Sequence, residues 1–126
     1  MEVNGIGGVF IRAKDPEALT AWYRKHLGIT HYSEKVWVQK AGPTVVNFFP
    51  MAGKDAPESS EYFPAEQSVM LNFRVDDLDA MLKELEASGI PVLTDPSWNS
   101  PEVGRFARIF DPERNAIELW EPASGD

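Results

Sequence analysis

Hydrophobic and polar positions alternate from Ser68 to Val75: Val69, Leu71, Phe73 and Val75 fall on one side, and Ser68, Met70, Asn72 and Arg74 on the other. A period of two marks a half-buried strand. The period then changes. Leu78, Met81, Leu82 and Leu85 form an apolar stripe at helical spacing, with Asp77 placed to cap its start and Ser88-Gly89 to end it. Pro91–Leu93, Arg105–Phe110 and Ala116–Trp120 read as shorter strands, and the run Asp111-Pro112-Glu113-Arg114-Asn115 turns the last pair. Ile117 and Leu119 share one face of the final strand, so Glu118 and Trp120 share the other.

The first half follows the same order. With Gly8 slid onto Met70, Arg12 meets Arg74, Asp15 meets Asp77 and Ala18 meets Ala80; one residue drops out, and Gly28-Ile29 meets Gly89-Ile90. The segment opening at Gly8 is then a strand, and Asp15-Pro16 starts a helix bearing Leu19, Trp22, Tyr23, His26 and Leu27. Strands are expected over Ile29–Ser33, Val36–Gln39 and Thr44–Phe49, with Ala41-Gly42-Pro43 as a turn. The chain reads as a single domain, 1–126, of two βαβββ modules, 1–50 and 67–126. Between them, 51–66 is a linker or lid loop carrying Tyr62 and Phe63. Each helix is expected to lie on the apolar face of its own module's strand, with Trp22 and Tyr23 in the core. A second loop, Thr94–Gly104, carries Trp98.

Composition narrows the chemistry. Hydrophobic residues make up 43% of the 126 and charged residues 25%, ordinary for a globular chain, and the absence of cysteine removes disulfides, thiolate metal sites and thiol nucleophiles. A formal charge of −8 disfavours nucleic acid and anionic membrane surfaces as partners and suits a cationic ligand. The N-terminus carries no basic leader and no apolar run is long enough to span a bilayer, so a cytoplasmic protein is expected. No Gly-x-Ser-x-Gly elbow frames a serine, Gly5, Gly7 and Gly8 precede a strand rather than open a helix, and Asp76, Asp77 and Asp79 sit at a helix start.

Three segments, Gly7–Ile29, Val75–Ile90 and Phe110–Pro122, together with the doubled βαβββ order, resemble the glyoxalase/bleomycin-resistance/extradiol-dioxygenase group, the vicinal oxygen chelate superfamily. Arg114 stands where that family's turn usually has glycine. The resemblance implies an α+β fold in which the paired modules form a curved half-barrel sheet around a cavity, with a small organic molecule as ligand and a homodimer as assembly. It places metal-ligand positions at Gly8, Asn47, Met70 and Glu118, of which only Glu118 is a strong first-row donor. The expectation is therefore a small-molecule binder with no cofactor and no tightly bound metal. The alternative is a divalent-metal-dependent lyase or isomerase of the glyoxalase I type using Glu118.

Glu118 is the candidate catalytic residue, as a general base or a hydrogen-bond acceptor, or simply an arginine's partner. Phe10, Asn47, Phe49, Met70, Asn72, Arg74, Trp98 and Trp120 are the candidate ligand contacts, with Trp37 a further aromatic and Gly8 leaving room by its missing side chain. Arg12 and Arg74 either clamp an anion or pair with surface acids, and the surface-pair reading also covers Arg105 and Arg108. His26 is read as structural, its imidazolium favoured by the helix C-terminus. His31 is either a ligand or base in the cavity or a surface histidine. A ferredoxin-like dimeric barrel of the small monooxygenase type is the rival architecture, and strand order separates the two.

Overall fold

Asp15 lies just ahead of Pro16, and its carboxylate accepts the Ala18 N–H at 3.1 Å, so helix α1 runs over Pro16–Leu27. Gly28 ends it at φ +70°, a left-handed conformation that a β-carbon would strain. Asp77 caps helix α2, Leu78–Ala87, in the same way through Ala80 at 3.0 Å, and Gly89 follows at φ +81°. Strand β1 is Leu71–Arg74, β2 is Gly104–Phe110 and β3 is Ala116–Pro122. These belong to a computed structural model that describes residues 1–29, 36–49, 64 and 66–124.

The sheet order is β1-β3-β2, with β3 parallel to β1 and antiparallel to β2. A bridge between Leu93 and Arg108 flanks β2 on its outer side, where the sequence predicts a full strand over Pro91–Leu93. The order β1, β3, β2, then Leu93 is that of one βαβββ module. The second half therefore folds much as its periodicity predicts. The core lies on one face of this sheet: Leu78 and Leu85 of α2 meet Ala107, Ile109, Ile117 and Leu119, with Ile90 closing the edge.

The first half differs from expectation. Among the described residues, 1–13 and 36–49 form neither helix nor strand, although strands are expected from Gly8, over Val36–Gln39 and over Thr44–Phe49. A strand needs ladder bonds to a neighbour, and these segments pair with no strand among the described residues. Their apolar side chains stay exposed, Phe10 at 97% and Phe48 at 90%. The predicted strand Ile29–Ser33 beyond its first residue, His31, and the 51–66 loop apart from Pro64 and Glu66 lie outside the described residues.

Helix α1 is also placed differently. It packs on the second module rather than on a strand of its own, with Trp22, Tyr23 and Leu27 against the core cluster. The 111–115 turn explains this. The Asp111 carboxylate accepts the Tyr23 hydroxyl at 2.7 Å while also taking the N–H groups of Glu113 and Asn115. The Glu113 carboxylate accepts the backbone N–H groups of Lys14 and Asp15 at 2.7 and 2.9 Å. The turn thus holds the helix by its first residues and by its buried side. Arg114 makes the turn at φ 69°, a conformation that costs a non-glycine residue roughly 1 kcal/mol.

Burial, then the hydrogen bond to Asp111, raise the Tyr23 pKa well above its ordinary 10.0. A raised folded-state value stabilises fully below the unfolded pKa and ceases to do so as pH climbs past it. Tyr23→Phe is expected to cost about 1.5 kcal/mol in urea unfolding at neutral pH, the worth of a hydrogen bond to a charged acceptor. Above about pH 10, wild type should lose stability relative to that variant, since unfolding then releases the phenol's proton. Equal stabilities at neutral pH would mean that the Asp111–Tyr23 bond does not help the turn hold the helix.

Candidate functional site

The alternation that buries Ile117 and Leu119 under the helices turns Glu118 and Trp120 to the opposite face of the sheet. Register places residues in rows across that face. Asn72, Glu118 and Arg108 form one row, and Arg74, Trp120 and Phe106 the next. Glu118 is 5% exposed and Arg108 9%, an ionic pair buried in the middle of a small sheet.

The contacts around Glu118 are specific. Asn72 donates through Nδ2 to Oε1 at 2.8 Å, and Arg108 Nη2 lies 3.8 Å from Oε2. That separation exceeds a hydrogen bond, so this contact is an ion pair held by charge. The Arg108 guanidinium carbon sits 4.8 Å from the centre of the Trp98 ring, within cation–π range. Trp98 is brought there by a short 3-10 turn, Pro96–Trp98, whose Asp95 cap accepts the Ser97 N–H and hydroxyl. Those two bonds keep the Asp95 carboxyl below its usual range.

The second row is aromatic. Trp120 stacks parallel to Phe106 with ring centres 6.1 Å apart, and its indole N–H donates to the Val103 carbonyl at 2.9 Å. Gly104 makes this possible. At φ +126° it lies so close to Trp120 and the Glu121 carbonyl that an added β-carbon would stand 2.2 Å from that oxygen. Arg74 turns to the carbonyls of Lys40 and Pro43 and ties the 40–43 turn to the sheet.

Of the predicted site residues, the sheet therefore assembles Asn72, Glu118, Trp98, Trp120 and Arg74. Met70 is half-buried just ahead of β1. Gly8, Phe10, Asn47 and Phe49 lie in the irregular segments, and a β-carbon added to Gly8 would stand 3.7 Å from the Phe10 ring. Trp37 packs against Phe73 at 6.1 Å, on the core side of β1 and away from Glu118.

Arg108 is the residue that the sequence reading assigned to a surface pair and the structure moves into the site. The signal was present in its parity on β2, where Arg108 follows Phe106 by two. Arg105 does form the expected exposed pair, with Asp79 at 2.6 Å, and its guanidinium holds the Asp79 carboxyl below the ordinary range. Asp76 and Asp77 likewise serve Lys40 and the α2 cap.

His26 corrects another expectation. Desolvation, then the neighbouring Lys25, lower its pKa, opposite to the direction expected from the helix C-terminus. With Lys25, Glu84 and Ser88 it lines an open groove of about 320 Å³ between α1 and α2, on the helix side of the sheet. That groove contains no buried charge and no converging polar atoms comparable to the Glu118 row, so the row is the candidate site. Among the described residues, no three His, Cys, Asp or Glu side chains group closely enough to hold a metal ion.

The sequence pattern of the Glyoxalase/Bleomycin resistance protein/Dioxygenase superfamily matches residues 5–119. The chain belongs to this superfamily. CFP32 of Mycobacterium bovis and its counterpart in Mycobacterium tuberculosis, which bear a glyoxylase name, are each 30% identical over 112 residues, 86% of this chain. The chain spans 40% of the length of these curated relatives. Among solved structures, TnmS3, an antibiotic binding protein from Streptomyces sp. CB03234, superposes with a TM-score of 0.59 at 24% identity, covering 98% of this chain and 99% of its own. A glyoxalase/bleomycin resistance protein from the same source gives 0.50 at 24% identity, covering 88% and 95%. These likenesses establish the superfamily's mixed α+β fold and set aside the ferredoxin-like barrel.

A buried ion pair adds little net stability over a well-packed apolar pair, while removal of one partner is costly. Glu118→Gln is expected to lower the unfolding free energy by about 3 kcal/mol, measured in urea. Arg108→Met combined with Glu118→Leu should return to within about 1 kcal/mol of wild type. A double variant as unstable as the single one would make the pair a structural element.

Proposed function

We propose that the protein binds a small organic molecule over the Glu118 row, without a tightly bound metal. The carrying observation is the buried Asn72–Glu118–Arg108 row, bordered by Trp98, Trp120 and Phe106, on the sheet face turned away from the helices. Aromatic walls with a few placed polar groups are the usual make-up of a small-molecule site. The fold-neighbour named as an antibiotic binding protein supports a small organic ligand, and the assembly we propose is a homodimer.

The donor set supports the metal-free reading. The four family positions carry Gly8, Asn47, Met70 and Glu118: no side chain, a weak amide oxygen, a soft thioether and one carboxylate. Both oxygens of that carboxylate already face partners, Asn72 on one side and the Arg108 cation on the other. A divalent ion placed at Glu118 would meet like charge and too few donors, and these residues do not fit it. The glyoxylase name of the mycobacterial relatives favours a second reading, in which the same row performs lyase or isomerase chemistry.

A thermal-shift screen of small organic molecules, run with and without chelator, tests the proposal. A ligand at 100 times its dissociation constant should add about 2.7 kcal/mol, unchanged by chelator. About one equivalent of Ni, Zn, Fe or Mn in purified protein, lost together with activity on Glu118→Gln, would overturn it.

A further inference from the structure

Glu118, Arg108 and Trp120 are each at least nine-tenths buried, so they form a floor rather than the surface that a ligand lies against. That surface has to come from residues standing above the floor. The segment 36–49 passes close by. On the helix side of the sheet, Trp37 meets Phe73 with ring centres 6.1 Å apart. Three residues later the chain is on the other side. There Arg74, whose register partner is Trp120, donates to the Lys40 carbonyl at 2.9 Å and to the Pro43 carbonyl. β1 is an edge strand in the order β1-β3-β2, with no ladder partner on its outer side among the described residues. The segment crosses between the faces around that open margin.

Two contacts fasten the crossing, and they are unequal. Lys40 and Asp76 pair at 3.2 Å with side chains 79% and 85% exposed, and pairs so exposed contribute little. The bonds from Arg74 are charge-assisted and hold two carbonyls of one turn in a planar fork. Gly42 lies between those carbonyls, and a β-carbon there would stand 2.9 Å from the guanidinium and push it off the turn. Beyond the turn, Phe49 is 37% exposed and Phe48 90%, so one of two adjacent rings is sheltered and the other is not. Resting on the ligand-binding reading above, we infer that Arg74 is a positioning residue: by gripping the 40–43 turn it holds 44–49, with Asn47 and Phe49, as a wall of the site above Glu118. It acts through the turn and does not touch the ligand.

The chain has no cysteine, so Phe48→Cys offers one attachment point for a nitroxide, at a side chain that packs little. In the full chain the label should broaden the indole N–H resonances of Trp98 and Trp120 more than that of Trp22. Arg74→Met should abolish the difference, and Asp76→Asn, which removes only the exposed ion pair, should preserve it. Binding is read by calorimetry with 1-naphthol, an uncharged two-ring aromatic. Arg74→Met and Gly42→Ala should each weaken it about tenfold, the scale of one charge-assisted hydrogen bond, with native far-ultraviolet circular dichroism retained. Arg74→Lys, whose ammonium can still reach one carbonyl, should recover part of the loss. Stronger broadening at Trp22, or broadening and affinity unchanged by Arg74→Met, overturns the inference and leaves the binding reading standing. Should 1-naphthol fail to bind the wild type, the broadening pattern alone decides the inference. Failure of every molecule in the thermal-shift screen overturns the binding reading, whatever the label reports.

Discussion

A carboxylate in the central strand of a small sheet is tolerable only if its neighbours on both sides answer it. Glu118 meets that condition through register: parallel β1 brings Asn72 to one oxygen and antiparallel β2 brings Arg108 toward the other. A slip of one residue in either pairing would turn the partner to the opposite face and leave the charge buried alone. The polar row therefore constrains the register of β3 from one side as the Ile117 and Leu119 contacts constrain it from the other.

The same turn that closes β2 onto β3 also organises the first half. Asp111 and Glu113 together take the hydroxyl of Tyr23 and the amides of Lys14 and Asp15, so α1 is fastened to the second module by acceptors that β2 and β3 hold in place. Phe73 then lies between Tyr23 and Trp37, with ring centres 6.4 and 6.1 Å away. The helix-facing side of the sheet is thus built from both halves of the chain, while the described partners of Glu118 come from the second half.

Much of this was legible in the residues. The α2 stripe, both aspartate caps, the 111–115 turn and the division of β3 into an Ile117/Leu119 face and a Glu118/Trp120 face follow from periodicity and capping alone. Arg108 was not, because a lone arginine on a strand reads the same whether it pairs in solvent or beneath a tryptophan; only register distinguishes the two. The docking of α1 on the second module depends on long-range bonds from Glu113 and Asp111, which local pattern does not reveal. The first-half alternation is present in Val36 and Val38, but a strand exists only with a neighbour to ladder it.

The most direct measurement of the central claim is the set of tryptophan indole N–H resonances during titration with a small molecule that stabilises the protein. The chain has four tryptophans, and the structure divides them by face: Trp98 and Trp120 with Glu118, Trp22 and Trp37 on the helix side. The account predicts that the Trp98 and Trp120 signals shift with saturation while Trp22 stays in place. Shifts confined to Trp22, with Trp98 and Trp120 unmoved, would put the ligand on the helix side of the sheet and contradict it.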